Sequence, residues 1–298
     1  MAPPRNDPNQ HPSDTRPFLC VPYWTTPLVA GGRWDDGDIR PLPPAVISYA
    51  CESIHTSLYK AGTLLDVIVD VRNAGGGSVT PVVTVVVYWA VPSVGFGKPT
   101  FFAATAIAVA PTRTSAGLTP TAKMTAMIPA TAPDHICLAV CVSHAQDRAG
   151  TVCDPIHDRH WAQRNLQAVS VALGAPTIFP MTVANPFPVA TTFDLRVGPA
   201  DERRAHVLAR AFRTVPSGVR PRIRLLDEHG AAVAEGGEQI LTTVQLGPLG
   251  ETPFQLMLEL DTELPQGQST AVEASIQPHG TDQGAVGSLG IVLLPPGA

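Results

Sequence analysis

Charge is scarce in this sequence. Asp, Glu, Lys and Arg make up 15% of its 298 residues, against about 25% in ordinary soluble domains. The 20 basic residues form no block and are outnumbered by 25 acidic ones, for a formal charge of −5. That excludes the electrostatic footprint of a nucleic-acid binder or of a protein held on an anionic membrane. Long apolar runs are also missing. The longest are of strand length, which excludes a membrane-spanning helix and leaves no membrane insertion to expect. The N-terminal stretch MAPPRNDPNQHPSDTRP has neither a basic start nor an apolar core, so it does not read as a secretory signal. No phosphate-cradling glycine loop opens a helix, and no Ser or Cys sits in a recognisable nucleophile turn, so neither a nucleotide cofactor nor a catalytic residue is expected.

Cysteine is sparse, with five residues at Cys20, Cys51, Cys137, Cys141 and Cys153. Cys137 and Cys141 lie in one strand-like run, which puts their Cα atoms about 13 Å apart, beyond the roughly 7 Å reach of a disulfide. The cysteines read as small buried hydrophobes, with a bridge such as Cys20 to Cys51 left open.

Hydrophobic residues are plentiful, at 44%, and are interrupted by 31 prolines and 25 glycines. Short β-branched runs between Pro/Gly punctuation are the pattern of an all-β sandwich. Residues 64–73, LLDVIVDVRN, alternate so that Leu65, Val67, Val69 and Val71 share a core face. Residues 82–90, VVTVVVYWA, are apolar throughout and predict a central strand covered on both faces. Strands follow at 101–110, 119–129, 136–143 and 166–173, the last closing a first sandwich. The expected core there includes Val67, Val69, Val85, Trp89, Leu138 and Val140. A second set is expected at 177–183, 189–197, 222–226, 231–234, 239–246, 253–260, 270–277 and 288–294. One helix is predicted over 200–212, with Ala205, Leu208, Ala211 and Phe212 on one face. A weak repeat, VRN ending at Asn73 and VAN ending at Asn185, supports two domains.

The stretch DVIVDVRNAGGGSVTPVVTVVVYWA, then IPATAPDHICLAVCVSHAQD, then DPIHDRHWAQRNL resembles bacterial CARDB-like and related Ig-like adhesion or accessory domains. In those domains a strand ends in V-x-N-x-G, its partner carries an aromatic end, and a D-x-x-x-AQ-x-N segment precedes the last strand. The resemblance covers residues 46–173, with a looser echo of an Ig-like or fibronectin-like module over 177–294. It implies an interaction or assembly module and carries over no catalytic residue.

Candidate chemistry is thin. Cys153, Asp154, His157 and His160 stand at C-x3-H-x2-H spacing, with His135 and His144 beside a nearby strand, and thiolate and imidazole are the ligands zinc prefers. Paired CxxC knuckles are absent, so the plainer expectation is a packed loop: Asp154 and Asp158 capping turns, Trp161 anchoring the loop, no metal. Arg220, Arg222 and Arg224 alternate along a strand and read as a solvated face. Asp35, Asp36 and Asp38 sit in the loop over 30–44, which lacks the glycine and terminal glutamate of a calcium loop.

The expectation is an all-β chain of two tandem Ig-like antiparallel β-sandwiches: a proline-rich arm over 1–45, a first sandwich over 46–173 and a second over 174–298. Its function is expected to be non-enzymatic, that of a structural or accessory subunit partnered by other protein subunits, with copies of itself among the candidates, and using no cofactor. The alternative is a module that binds carbohydrate or another surface polymer through loops at one end of a sandwich. A metal-dependent hydrolase built on Cys153, His157 and His160 stands third.

Overall fold

Alternation of apolar and polar residues along short strands produces an all-β protein with one short helix. The computed structural model describes residues 16–23, 40–43, 46–75, 79–111, 117–165, 168–282 and 284–297. The chain divides into two compact units. The first takes residues up to Ala90 together with Pro99–Arg164, and the second takes Val91–Lys98 and Asn165–Ala298. No helix among the described residues is long and apolar enough to cross a membrane.

The first unit is a sandwich of two sheets. One is built on β3 (Leu64–Asn73), flanked by β1 (Leu19–Cys20), β2 (Ile54–Thr56), β7 (Leu118–Pro120) and β8 (Met124–Met127). The other runs in the order β10 (Trp161–Asn165), β9 (Cys137–Ser143), β4 (Val82–Ala90), β6 (Thr100–Ala108). The period-2 reading of β3 holds: Leu65, Val67, Val69 and Val71 are all buried, as are Val85, Leu138 and Val140. Trp89 is only half-buried, and β4 is covered on one face rather than two, with Val82 65% exposed. An unbroken apolar run does not reveal that the outer face of its sheet is left bare.

The second unit holds β11 (Ala168–Ser170), β20 (Gly287–Leu294), β19 (Gln268–Pro278), β13 (Thr191–Pro199) and β17 (Ile240–Leu246) in one sheet, with β14 (Val215–Pro216) beside β19. Its other sheet runs β16 (Ala232–Gly236), β15 (Arg222–Leu226), β18 (Glu251–Glu259), β12 (Thr177–Ala184), β5 (Ser93–Val94). Helix α1 (Glu202–Ala211) starts where Asp201 accepts the Arg204 N–H at 2.9 Å, and it buries Leu208 and Ala209 while Ala211 stays exposed. The pairing is not purely antiparallel, because β5, β11 and β14 each add a short parallel strand.

Three expectations change. Residues 16–23 belong to the first unit's core rather than to an arm: Phe18, Leu19, Cys20, Val21 and Tyr23 are fully buried. Residues 1–15, and the aspartate loop with Asp35, Asp36 and Asp38, lie outside the described residues. The strand within 166–173 does not close the first sandwich. It is β11, paired with β20 in the second unit, and the closing strand is β10, in a segment expected to be loop. The five cysteines form no disulfide.

The Asn73 and Asn185 repeat has a physical basis. Both side chains are buried. Asn73 Oδ1 accepts the N–H groups of Phe18 and Gly75, each at 3.0 Å, and its Nδ2 donates to the Val109 carbonyl at 3.3 Å. Asn185 Oδ1 accepts the Phe187 N–H at 2.9 Å, while its Nδ2 donates to the carbonyls of Val189 and Gly247 at 2.7 and 2.8 Å. Each amide satisfies backbone groups that a turn leaves unpaired. At Gly75 a Cβ would stand 2.5 Å from the Arg16 carbonyl oxygen, so only glycine fits there. Asn73→Ala and Asn185→Ala are each expected to lower stability by about 2–3 kcal/mol, because buried backbone groups lose their partners. Urea denaturation of the two variants checks this.

Candidate functional site

Two regions of the first unit merit description as sites: the loop that carries the predicted ligands, and the outer face of the β10-β9-β4-β6 sheet.

The loop from Asp147 to Trp161 is built on aspartate turns. Asp154 Oδ1 accepts the N–H groups of Ile156 and His157 at 3.1 and 3.0 Å, and its Oδ2 lies 2.9 Å from His157 Nδ1. Asp158 Oδ1 accepts the His160 N–H at 3.0 Å, and Oδ2 accepts that of Gly150 at 2.7 Å. The buried His160 ring sits between two carboxylates: Nδ1 is 2.6 Å from Asp158 Oδ1, and Nε2 is 3.3 Å from Asp147 Oδ1, within ion-pair range. Asp147 also pairs with the Arg159 guanidinium and accepts the Leu19 N–H at 2.6 Å. Arg159 in turn covers the Phe18 ring, 4.0 Å from its centroid.

Burial opposes charge at all three acidic and imidazole groups, and the pairing overrides it. Burial raises the Asp147 carboxyl, but His160, Arg159 and the Leu19 N–H outweigh that and leave it below the usual carboxylate range. Asp158 is lowered against burial by its hydrogen bonds and by the charge of His160. Burial draws the His160 imidazole down, yet Asp147 and Asp158 carry it above its usual value.

The arrangement is that of a folded loop. His157 rests on Asp154 and His160 on Asp158 and Asp147. Among the described residues no three His, Cys, Asp or Glu side chains converge to hold a metal, and Cys153, His157 and His160 do not form such a group. Burial pushes the Cys153 thiol well above its ordinary pKa and those of Cys51 and Cys141 up to about 12. His135, which burial lowers, completes the perturbed imidazoles. Arg220, Arg222 and Arg224 are exposed and pair with Glu238, Asp261 and Glu235 at 2.8, 2.7 and 3.8 Å.

Trp161 is buried where the loop enters β10, and its indole N–H donates to the Gly150 carbonyl at 3.1 Å. Its ring lies 5.9 Å from that of Tyr88, which meets Phe101 edge-on at 6.4 Å. The pairing of Tyr88 with Ala139 on one side and Phe101 on the other explains this row, since the small Ala139 leaves room above β9.

The row crosses one end of a face that sequence reading missed. Outward along β4 stand Val82, Thr84, Val86 and Tyr88, opposite Ala108, Ala106, Ala104 and Phe101 of β6. On the other side Thr84 and Val86 face Ser143 and Cys141 of β9. Strands β4, β6 and β9, of nine, nine and seven residues, hold no Asp, Glu, Lys or Arg. The fourth strand of this sheet, β10, carries Arg164, and every other sheet among the described residues carries charge as well. Asp66 pairs with Lys123 at 3.0 Å and Asp70 with His55 at 2.7 Å on the facing sheet of the same unit. In the second unit Arg222 and Arg224 mark one sheet, Asp194 and Glu273 the other. The signal was present in the sequence as charge missing from alternate positions in three separate strands, and only the registers assemble it into one surface.

Trp161→Ala is expected to cost about 3–5 kcal/mol, since it removes a buried indole at the root of β10; thermal unfolding measures it. For His160 the linkage has a definite sign. Its raised pKa stabilises the fold fully below the unfolded value of about 6.5, and this is lost as pH rises through the folded value. The lowered Asp147 and Asp158 stabilise above about 3.9, and this is lost as pH falls through their folded values. His135, half-buried and lowered by burial, runs opposite to His160, and a comparison of variants separates the two. Relative to wild type, His160→Gln is expected to lose more melting temperature at pH 6 than at pH 8.5.

No protein-family model matches the chain, and no curated protein is significantly similar to it. Solved structures give distant likenesses. The N-terminal domain of PorA is 14% identical with a TM-score of 0.26, the match covering 45% of this chain and 92% of that one. The collagen adhesin CNA from S. aureus is 10% identical at 0.24, covering 81% and 91%. The CupB6 tip adhesin from Pseudomonas aeruginosa is 8% identical at 0.23, covering 80% and 94%. At such scores these likenesses carry no argument, and the all-β sandwich assignment rests on the strands and registers described above.

Proposed function

We propose that this protein is a non-enzymatic structural or accessory subunit that works by binding other proteins, in keeping with the CARDB-like resemblance of residues 46–173. The observation that carries this reading is the uncharged outer face of β4, β6 and β9. Depletion of charge together with exposed aromatic residues marks the centre of protein interfaces, whereas a solvated surface is about one-quarter to one-third charged. Phe101, at 61% exposure, and Val82 stand exposed at the two ends of this face. The histidine loop supports the same reading, because its ionisable groups are spent on one another and on backbone N–H groups.

A photo-reactive amino acid placed at Ala106, in the middle of the face, is expected to give a discrete protein adduct in the cells that make this chain. The same group at Lys123, on the charged sheet, is expected to give none. Equal labelling at the two positions, or no adduct at Ala106, overturns the reading.

A further inference from the structure

We infer that the outward face of α1, in the second unit, docks a segment of another protein in which acidic side chains bracket apolar ones. This surface is separate from β4, β6 and β9 and owes nothing to the reading of that face. Helix α1 turns Leu208 and Ala209 inward. At about 100° per residue the opposite side is centred on Arg203 and Arg210, two turns or about 10.5 Å apart, with Val207 between them. Both arginines are exposed, Val207 is 44% exposed, and Arg213 stands exposed just past the helix end.

These arginines differ from the others of the second unit. Arg220, Arg222 and Arg224 are exposed too, but each pairs with a carboxylate, and on α1 itself Arg204 is taken by Asp201 and Glu273. Arg203, Arg210 and Arg213 have no ion-pair partner among the described residues. Two of them also sit where local structure does not favour them. Arg203 falls in the first turn, at the positive end of the helix dipole, where an anion is preferred and a cation disfavoured. Arg213 is held at φ of 56°, a left-handed conformation that favours glycine. Thr214 fixes that turn, its N–H donating to the Ala209 carbonyl at 2.9 Å and its hydroxyl to Ser269 Oγ at 2.7 Å. Side chains kept against local preference on one exposed surface mark it as functional.

Unmatched guanidinium groups around an apolar side chain specify the partner. Guanidinium takes carboxylate in paired, planar hydrogen bonds. Val207, together with Val215 at 62% exposure on β14, which packs against α1, offers apolar contact that a phosphate backbone cannot return. The surface is also short, about 15 Å of helix in a chain of formal charge −5. A nucleic acid or an anionic membrane extends beyond such a patch and meets that net negative charge, whereas a short acidic segment touches the stripe alone. Exposed charges contribute little each and are screened by salt, so the contact is weak and salt-sensitive.

Fluorescence anisotropy with the full chain tests the proposal, using a short labelled peptide of alternating Glu-Glu and Leu-Leu pairs, with its Lys-Lys counterpart as control. Wild type is expected to bind the acidic peptide and not the basic one, and to release it as salt is raised. The double variant R203E/R210E is expected to bind about tenfold more weakly, because two exposed ion pairs are replaced by repulsion, with circular dichroism and melting temperature near wild type. Arg222→Gln, at a paired arginine of the same unit, is expected to leave binding unchanged. Arg213→Gly is expected to bind about threefold more weakly while melting at a higher temperature, since glycine relieves the left-handed turn. A merely structural Arg213 would not move the two in opposite directions, and this variant carries the test should R203E/R210E fold poorly. An acidic peptide that does not bind, or that binds indifferently to R203E/R210E and R213G, overturns the proposal. Tighter binding of single-stranded DNA or of phosphatidylserine vesicles, lost in the same variants, overturns the acidic protein segment as occupant.

Discussion

The half-buried carboxylate of Asp147 is the constraint on which the first unit depends. A carboxylate taken out of water costs several kcal/mol unless cations and N–H donors surround it. Here the Arg159 guanidinium, the His160 imidazole and the Leu19 N–H do so. Those partners come from distant parts of the chain, so satisfying one charge brings the N-terminal strand and the loop before β10 to a single geometry. Asn73 holds the same N-terminal segment from the other side, through the Phe18 N–H.

The consequences reach the sheet surface. With His160 and Arg159 fixed, Trp161 begins β10 in a set position, its indole on the Gly150 carbonyl and its ring against Tyr88. Tyr88 in turn supports Phe101 at the rim. A charge cluster in the loop therefore positions an aromatic row on a face that has no charge of its own. Ionic groups are gathered in the loop whose fold they specify, and β4, β6 and β9 hold none. Hydrogen-bonded and paired within the loop, the acidic and imidazole groups stabilise its local structure.

Connectivity carries a related lesson. Residues 91–98 leave the first unit between β4 and β6, and β5 within them pairs with β12 in the second. Gly95 there has φ of +82° and approaches the Ala184 carbonyl so closely that a Cβ would stand 2.5 Å from it. Backbone contact of that kind needs glycine. The chain thus passes between the units at three points, and the second sandwich is not one continuous stretch of sequence.

Much of the fold was legible from periodicity alone. The alternation in residues 64–73 placed four buried side chains of β3 correctly, and the acidic start and apolar face of residues 200–212 located α1, because both signals depend on neighbours a few positions away. The buried role of Phe18, Leu19 and Tyr23 was not legible, since short apolar stretches beside prolines read as an arm until Asp147, Asn73 and Ser48 are brought to them. Nor was the pairing of β11 with β20, because a strand's own residues declare that it is extended and not which edge it joins. For the candidate site, the spacing of Cys153, His157 and His160 suggested ligands, but spacing cannot say what each ring faces, and in the fold both histidines turn to aspartates. Sequence by itself determined the all-β class, the strand-by-strand alternation and the scarcity of charge. Tertiary structure decided where that scarcity is concentrated, because a surface spanning three strands exists only once hydrogen-bond register has set residues from β4, β6 and β9 side by side.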